Sequence, residues 1–368
     1  MISFKVLKPQ DSFQYFIQIS LLNIKNKKLF GCFKYFNKKI YKSDFKILQN
    51  NFECHNIIFF DLEKPIGACT HYKPKSHLLT AGYPESIGNL LFSDQIKDDQ
   101  LKNCGQILQN LFSNNDVLLP LNGSFNLGFY ENPNDQLQTS FLTTAYNKQV
   151  SNFFKTNVDI FIKCRTGHAL TLDLNDKTIH KIQVELSKLQ SESFTTRNFS
   201  KLNFFNDLKI YNQLVNESMK KHFLFFYIDW KSMKQLMWPL LLFINPKYFK
   251  FILKDNIEIG LVFAIPDYNE ILSGSKSDIG NVLSCFFSRN WLKKARIIYS
   301  CLRPEFQGQK LIKIARHQVL IALFQDGYTS VESSYIDQEN KNSLGNAIST
   351  GAKLKQDYYL YKIHSKAN

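Results

Sequence analysis

From Ala295 to Tyr335 the sequence reads strand, turn, helix, strand with almost no spare residues, and this run restricts the fold more than any other stretch. Ala295 to Leu302 is an apolar strand, Pro304 and Gly308 break it, and Leu311 to Phe324 carries a helical apolar pattern. Gly327 lies just beyond the helix end, where a left-handed residue is commonly needed, and Ser330 to Tyr335 reads as the next strand. A helix bound this tightly between two strands must bury its apolar side on their sheet, which places the chain in the α/β class.

The same grammar recurs on both sides of that run. Residues 2 to 8 alternate as a strand, and Ile57 to Leu62 with Pro65 to Cys69 reads as a hairpin across Glu63 and Lys64. Leu101 to Phe112 is an amphipathic helix, followed by a strand from Val117 to Leu119. Tyr248 to Leu253, the turn residue Asn256, and Glu258 to Ile265 ended by Pro266 form a second hairpin pattern. Asn340 to Ser349 is a helix stopped by Gly351, and Tyr358 to Ile363 is a strand. With 368 residues, the chain has room for about two domains. The polar stretch from 187 to 200 is the natural linker, giving domains at 1–190 and 191–368.

A net charge of +15 suggests an acidic partner, but 40 of the 46 basic residues are lysines and they are scattered. Short clusters at Lys25 to Lys28 and at Lys38 and Lys39 do not make a basic block, so a solvated basic surface is the simpler reading. Seven cysteines form no CxxC and no Cys/His ligand spacing, which points to a reduced, cytoplasmic protein without a bound metal. The N-terminus lacks the parts of a secretory signal, and the most apolar stretch, Leu236 to Ile244, contains Pro239 and is about half of what spans a bilayer. No GxxxxGK[ST], HExxH or GxSxG motif is present.

Four stretches resemble the GNAT N-acyltransferase superfamily. In Ile297-Ile-Tyr-Ser-Cys-Leu-Arg-Pro-Glu-Phe-Gln-Gly-Gln-Lys-Leu-Ile312, the segment Arg303 to Gln309 looks like the family's P-x-[FY]-[QR]-G turn. Asn340 to Ser343, with Gly351 eleven residues after Asn340, looks like its second cofactor motif. Gly260 to Glu270 and Tyr358 to Lys362 look like a bacterial subgroup with tandem halves, and Leu119-Pro-Leu-Asn-Gly-Ser124 looks like that subgroup's GPLNGS strand end. The resemblance implies an α/β (α+β) fold of two tandem GNAT-like domains, each a mixed, mostly antiparallel sheet flanked by helices. The first half has no recognisable cofactor turn, and the second would bind acyl-coenzyme A.

The implied donor is acetyl- or another acyl-coenzyme A, and the implied reaction is direct attack of an amine on its thioester. Backbone N–H groups at Ser300, Cys301 and Leu302 would polarise the carbonyl, and Gln307, Gly308, Gln309, Lys310, Leu311 and Ile312 would hold the pyrophosphate at a helix N-terminus. Asn340 and Ser343 complete the donor set. Lys310 and Ile312 stand where the pattern [QR]-x-x-G-x-[GA] has Gly and Gly or Ala, and Ala347 stands where a tyrosine acid is common. Tyr359, Tyr361 or Tyr335 would then supply the proton, and Glu332 or Asp337 would be the base. His317 reads as a helix-surface residue, Cys301 as buried packing, and Trp230, Trp238, Phe223, Phe225 and Phe226 as core or interdomain packing. The acceptor would be an amine-bearing small molecule or peptide. Two rival readings keep the fold: a catalytically impaired binding or scaffolding protein, and a transferase using aminoacyl-tRNA. An acidic acyl carrier protein as donor is a further use for the charge.

Overall fold

The computed structural model describes residues 2–7, 51–75, 84–112, 115–122, 126–127, 148–189, 194–222, 225–238, 241, 243–271, 284 and 287–364. The lysine clusters at 25–28 and 38–39, Cys32, Gly123, Ser124, Phe223, Pro239 and Cys285 lie outside them.

The first half contributes β1 (Ile2–Leu7), β2 (Phe52–Asp61), β3 (Lys64–Pro74), β4 (Glu85–Phe92), α1 (Asp98–Phe112) and β5 (Val117–Leu119). A small ribbon of β6 (Leu121–Asn122) and β7 (Asn126–Leu127) follows, then α2 (Lys148–Thr156), β8 (Phe161–Asp173) and α3 (Asp176–Leu189). Next come β9 (Phe194–Asn198), α4 (Phe204–Met219), α5 (Trp230–Met237), β10 (Phe249–Lys254) and β11 (Ile257–Pro266). The last stretch is β12 (Lys294–Leu302), α6 (Leu311–Gln325), β13 (Ser330–Ser333), β14 (Ile336–Asp337), α7 (Lys341–Thr350) and β15 (Lys353–Ile363).

Local chemistry accounts for the boundaries. Asp98 and Asp99 occupy the first turn of α1, where negative charge complements the helix dipole. Asp255 and Asn256 have φ of 49° and 62°, the left-handed pair that a two-residue hairpin needs between β10 and β11. The Asn340 side chain accepts from the Ser343 N–H at 3.1 Å and caps α7, which Gly351 ends at φ 106°. Two expectations are corrected. The first hairpin turns at Leu62 and Glu63, because Leu62 takes the left-handed conformation and Lys64 already pairs with Asp61. The stretch taken as linker contains β9, whose backbone pairs with β10 along its length.

Thirteen of the described strands form one sheet in the order β1-β2-β3-β4-β5-β15-β8-β13-β12-β11-β10-β9, with β14 also on β8. Ordered this way, the sheet continues unbroken past residue 190 through an exchange: β15 lies between β5 and β8, and β8 lies between β15 and β13. The larger core cluster also crosses it, joining Phe52 and Tyr72 to Phe226 and the strands around β11. Phe52 meets the ring of Phe226 edge-on at 5.6 Å. Among the described residues, no helix is long and apolar enough to cross a membrane.

Parallel strands β12 and β13 pair only from Lys294–Ile297 to Ser330–Ser333, after which β12 runs on to Leu302 with β11 as its one strand partner. Phe263 faces Tyr299 while Ala264 faces Ile297, so Ile298 is the extra residue of a bulge where the two strands part. The sheet is split there.

Candidate functional site

The split opens into a cavity of about 590 Å³. Its walls come from Arg296 to Leu302 on β12, from Val331 and Ser333 to Asp337, and from Ile312, Arg316 and Leu320 on one face of α6. Helix α7 adds Asn340, Asn342, Ser343, Asn346, Ala347 and Thr350, while Val215, Ser218, Met219 and His222 close the α4 side. Walls from α4 as well as from α6 and α7 mean that the cavity passes through the gap in the sheet.

At one end lies the turn before α6. The Gln307 amide donates to the Leu302 carbonyl at 3.1 Å and closes the loop on the strand it leaves. Gly308 has φ 84° and nothing within 4 Å of where a Cβ would stand, so the backbone there is bare. Lys310 also takes a left-handed conformation, φ 60°, and caps the helix without a side-chain hydrogen bond. Among the described residues, no backbone carbonyl accepts from the N–H groups of Gly308 to Ile312. Donors at a helix N-terminus with no acceptor form an anion cradle.

At the other end Tyr335, Asp337, Arg165 and His222 converge. The Tyr335 hydroxyl donates to Asp337 at 3.1 Å, and Arg165 holds Asp337 through a two-pronged ion pair. Burial alone would raise the Asp337 pKa, but the Arg165 guanidinium, the Glu339 N–H and the Tyr335 hydroxyl together outweigh it and hold the carboxylate below its usual range. Burial and then Asp337 push Tyr335 upward, so it keeps its proton. His222 stands at the mouth, 3.3 Å from the Asn340 amide; desolvation by its surroundings lowers it below the usual imidazole value, against the pull of Asp337.

The structure brings together Ser300, Cys301, Leu302, Gln307, Gly308, Ile312, Asn340 and Ser343 in the cavity wall, while Gln309, Lys310 and Leu311 stay outside it. Glu332, Tyr359 and Tyr361 lie elsewhere. Glu332 pairs with Lys355, Tyr359 lies under the Lys163 ammonium, and Tyr361 stacks on Phe154 at 4.1 Å in the core of the first half. Cys301 is buried packing as expected, its thiol pushed up to about 12 by burial. His317 is not a surface residue: it is 0% exposed and meets Glu185 of α3 at 3.0 Å. Lys313 joins the same carboxylate at 2.5 Å, so the hydrogen bond, the ion pair and the burial share one cause, the packing of α3 on α6. Trp238 is half exposed, stacked on Phe205, whereas Trp230 packs against the core. The sequence does not announce His222, Arg165 or the cavity role of Arg316, because their partners Asn340, Asp337, and Asn346 with Thr350 are brought to them from remote parts of the chain.

No protein-family model matches the chain, and no curated protein matches its sequence. Solved structures do. A tandem GNAT protein from the clavulanic acid biosynthesis pathway superposes over 100% of both chains with a TM-score of 0.50 at 9% identity. The chain has the tandem GNAT fold. A probable N-acyltransferase from Enterococcus faecalis V583 shares this GNAT fold over 98% of this chain and 72% of its own, with a TM-score of 0.50 at 9% identity. A glucosamine N-acetyltransferase region of a fungal multi-domain β-N-acetylglucosaminidase matches 99% of this chain at a TM-score of 0.51 and 14% identity. This chain spans only 38% of that fungal protein. The mixed, mostly antiparallel sheet flanked by helices agrees with the GNAT resemblance read from Ile297 to Ile312.

Proposed function

We propose that the protein is an acyl-coenzyme A-dependent N-acyltransferase whose donor site is the cavity between β12 and β13. One observation carries this reading: a cradle of unpaired N–H groups at Gly308–Ile312 opens onto a cavity that reaches a titratable cluster on the other side of the sheet. The diphosphate of the donor lies on the cradle, and Asn340 and Ser343 border its path toward the bulge at Ile298. Beyond Ile297, β12 has a free strand edge toward the gap, whose N–H groups face the thioester carbonyl.

The acceptor amine enters past His222. Neutral imidazole takes the ammonium proton, so the amine attacks with its lone pair free; Tyr335 and Asp337 hold it by hydrogen bonds. The new C–N bond forms as the C–S bond breaks, and the nitrogen, then positively charged, gives its excess proton to solvent to leave the neutral amide. Calorimetric titration with acetyl-coenzyme A and with a long-chain acyl-coenzyme A tests the donor site. Saturable micromolar binding supports it, and its absence in folded protein sinks it.

A second reading, a non-catalytic binding or scaffolding protein, is favoured by one feature: the Ile312 side chain forms part of the cavity wall where the family pattern leaves space. It requires that neither donor binds until positions 310 and 312 are changed to Gly and Ala.

A further inference from the structure

The cavity contains a charge that the diphosphate cradle and the titratable cluster do not use. Arg316 is 9% exposed and lies one helical turn beyond Ile312 on the same face of α6. Its Nη2 donates to the Asn346 carbonyl at 2.8 Å and to the Thr350 hydroxyl at 2.9 Å, both neutral oxygens of α7. Its Nε is buried and has no hydrogen-bond partner, and among the described residues no carboxylate lies within ion-pair distance. Glu185, whose charge acts on it, is already held by Lys313 and His317. A guanidinium removed from water without an anion is costly, and costs of this kind are found at functional sites.

We propose that Arg316 is an anion site inside the cavity that takes the sulfur of the thioester donor as it leaves as a thiolate. This rests on the donor reading above. With the diphosphate on the cradle at Gly308–Ile312, the sulfur is the group of such a donor that acquires negative charge deeper in the cavity. The neighbouring Ala347 contributes only a methyl group to the wall, so no acidic side chain there competes for the sulfur. In the step, the electron pair of the breaking C–S bond moves to sulfur, where the guanidinium stabilises it; the thiolate takes a proton from water on release. The other charged groups facing this region are Lys313, His317 and Glu185 on the α3 side, Arg296 on β12, and Asp337 with Arg165 and His222 at the far mouth. Lys313 and His317 share Glu185, Arg165 holds Asp337, and the Arg296 charge acts on Tyr358, while Arg316 has no carboxylate partner among the described residues.

Binding of coenzyme A and of its desulfo analogue tests this without an acceptor. For wild type, coenzyme A should bind at least tenfold more tightly than the desulfo analogue near pH 8, with the gap narrowing toward pH 6 as the bound thiol takes up its proton. Ultraviolet thiolate absorbance should show the bound thiol titrating at lower pH than the free one. Arg316→Gln should bind both ligands alike at every pH, and Arg316→Lys should restore part of the preference. An unshifted thiol titration in wild type, or an undiminished preference in R316Q, overturns the proposal while leaving the donor site standing. Failure of wild type to bind either ligand overturns both.

Discussion

The ring of Tyr335 lies directly on Gly167: a Cβ at that glycine would fall 2.0 Å from the ring. Gly167 is on β8 and Tyr335 follows β13, so the hydroxyl that reaches Asp337 is aimed by a strand from the other half of the chain.

Gly167→Ala should therefore displace Tyr335 rather than be absorbed. Forced overpacking of this kind costs about 2 kcal/mol. Thermal denaturation should show the loss, and a variant as stable as wild type would mean that the ring is free to move.

The burial of His317 makes stability depend on pH. Burial, followed by the Arg316 charge, lowers the His317 pKa from 6.5 to about 4, more than Glu185 restores. The unfolded chain then binds the proton first on acidification, so this contribution is complete above pH 6.5 and is lost as pH falls toward 4. The difference amounts to about 3 kcal/mol. Urea denaturation at pH 7 and pH 4.5 should show a steeper fall for wild type than for His317→Gln.

Lys310 carries a side chain in a left-handed conformation, which costs about 1 kcal/mol for a residue with a Cβ. Lys310→Gly should raise the melting temperature and tighten acetyl-coenzyme A binding by opening the approach to the cradle. Lys310→Ala keeps the Cβ and loses the charge, so it should not stabilise. Equal gains from both would assign the effect to charge.

The exchange of β8 and β15 predicts one cooperative unfolding transition. Fragments 1–190 and 191–368 should each lack a stable sheet alone and recover it when mixed, as followed by circular dichroism. Two well-separated transitions in the intact chain would contradict this.

The strand-turn-helix from β12 to α6 and the capped helix α7 were legible because their signals are local: apolar runs, Pro304, Gly308, Asn340 and Gly351. Strand β8 was not. Its residues Lys163, Arg165 and His168 break any apolar pattern, and their partners Asp337 and Asp357 arrive from positions more than 150 residues away. For the same reason Tyr361 looked available for chemistry, whereas β15 carries it into the core around Phe154. His317 looked solvent-facing because nothing near it in sequence announces Glu185. Long-range pairing, not local propensity, decided each of these positions.

Because β15 fills the place between β5 and β8, the first half cannot complete its sheet while it is being synthesised. More than two hundred residues separate β5 from β15, which at ribosomal speed is a wait of about 10 to 50 s. During that interval the edge of β5, and that of β8 once it has been made, are open to strands of other nascent chains. A protein built this way depends on chaperone cover during translation, and its yield should fall when synthesis is fast and chaperones are scarce.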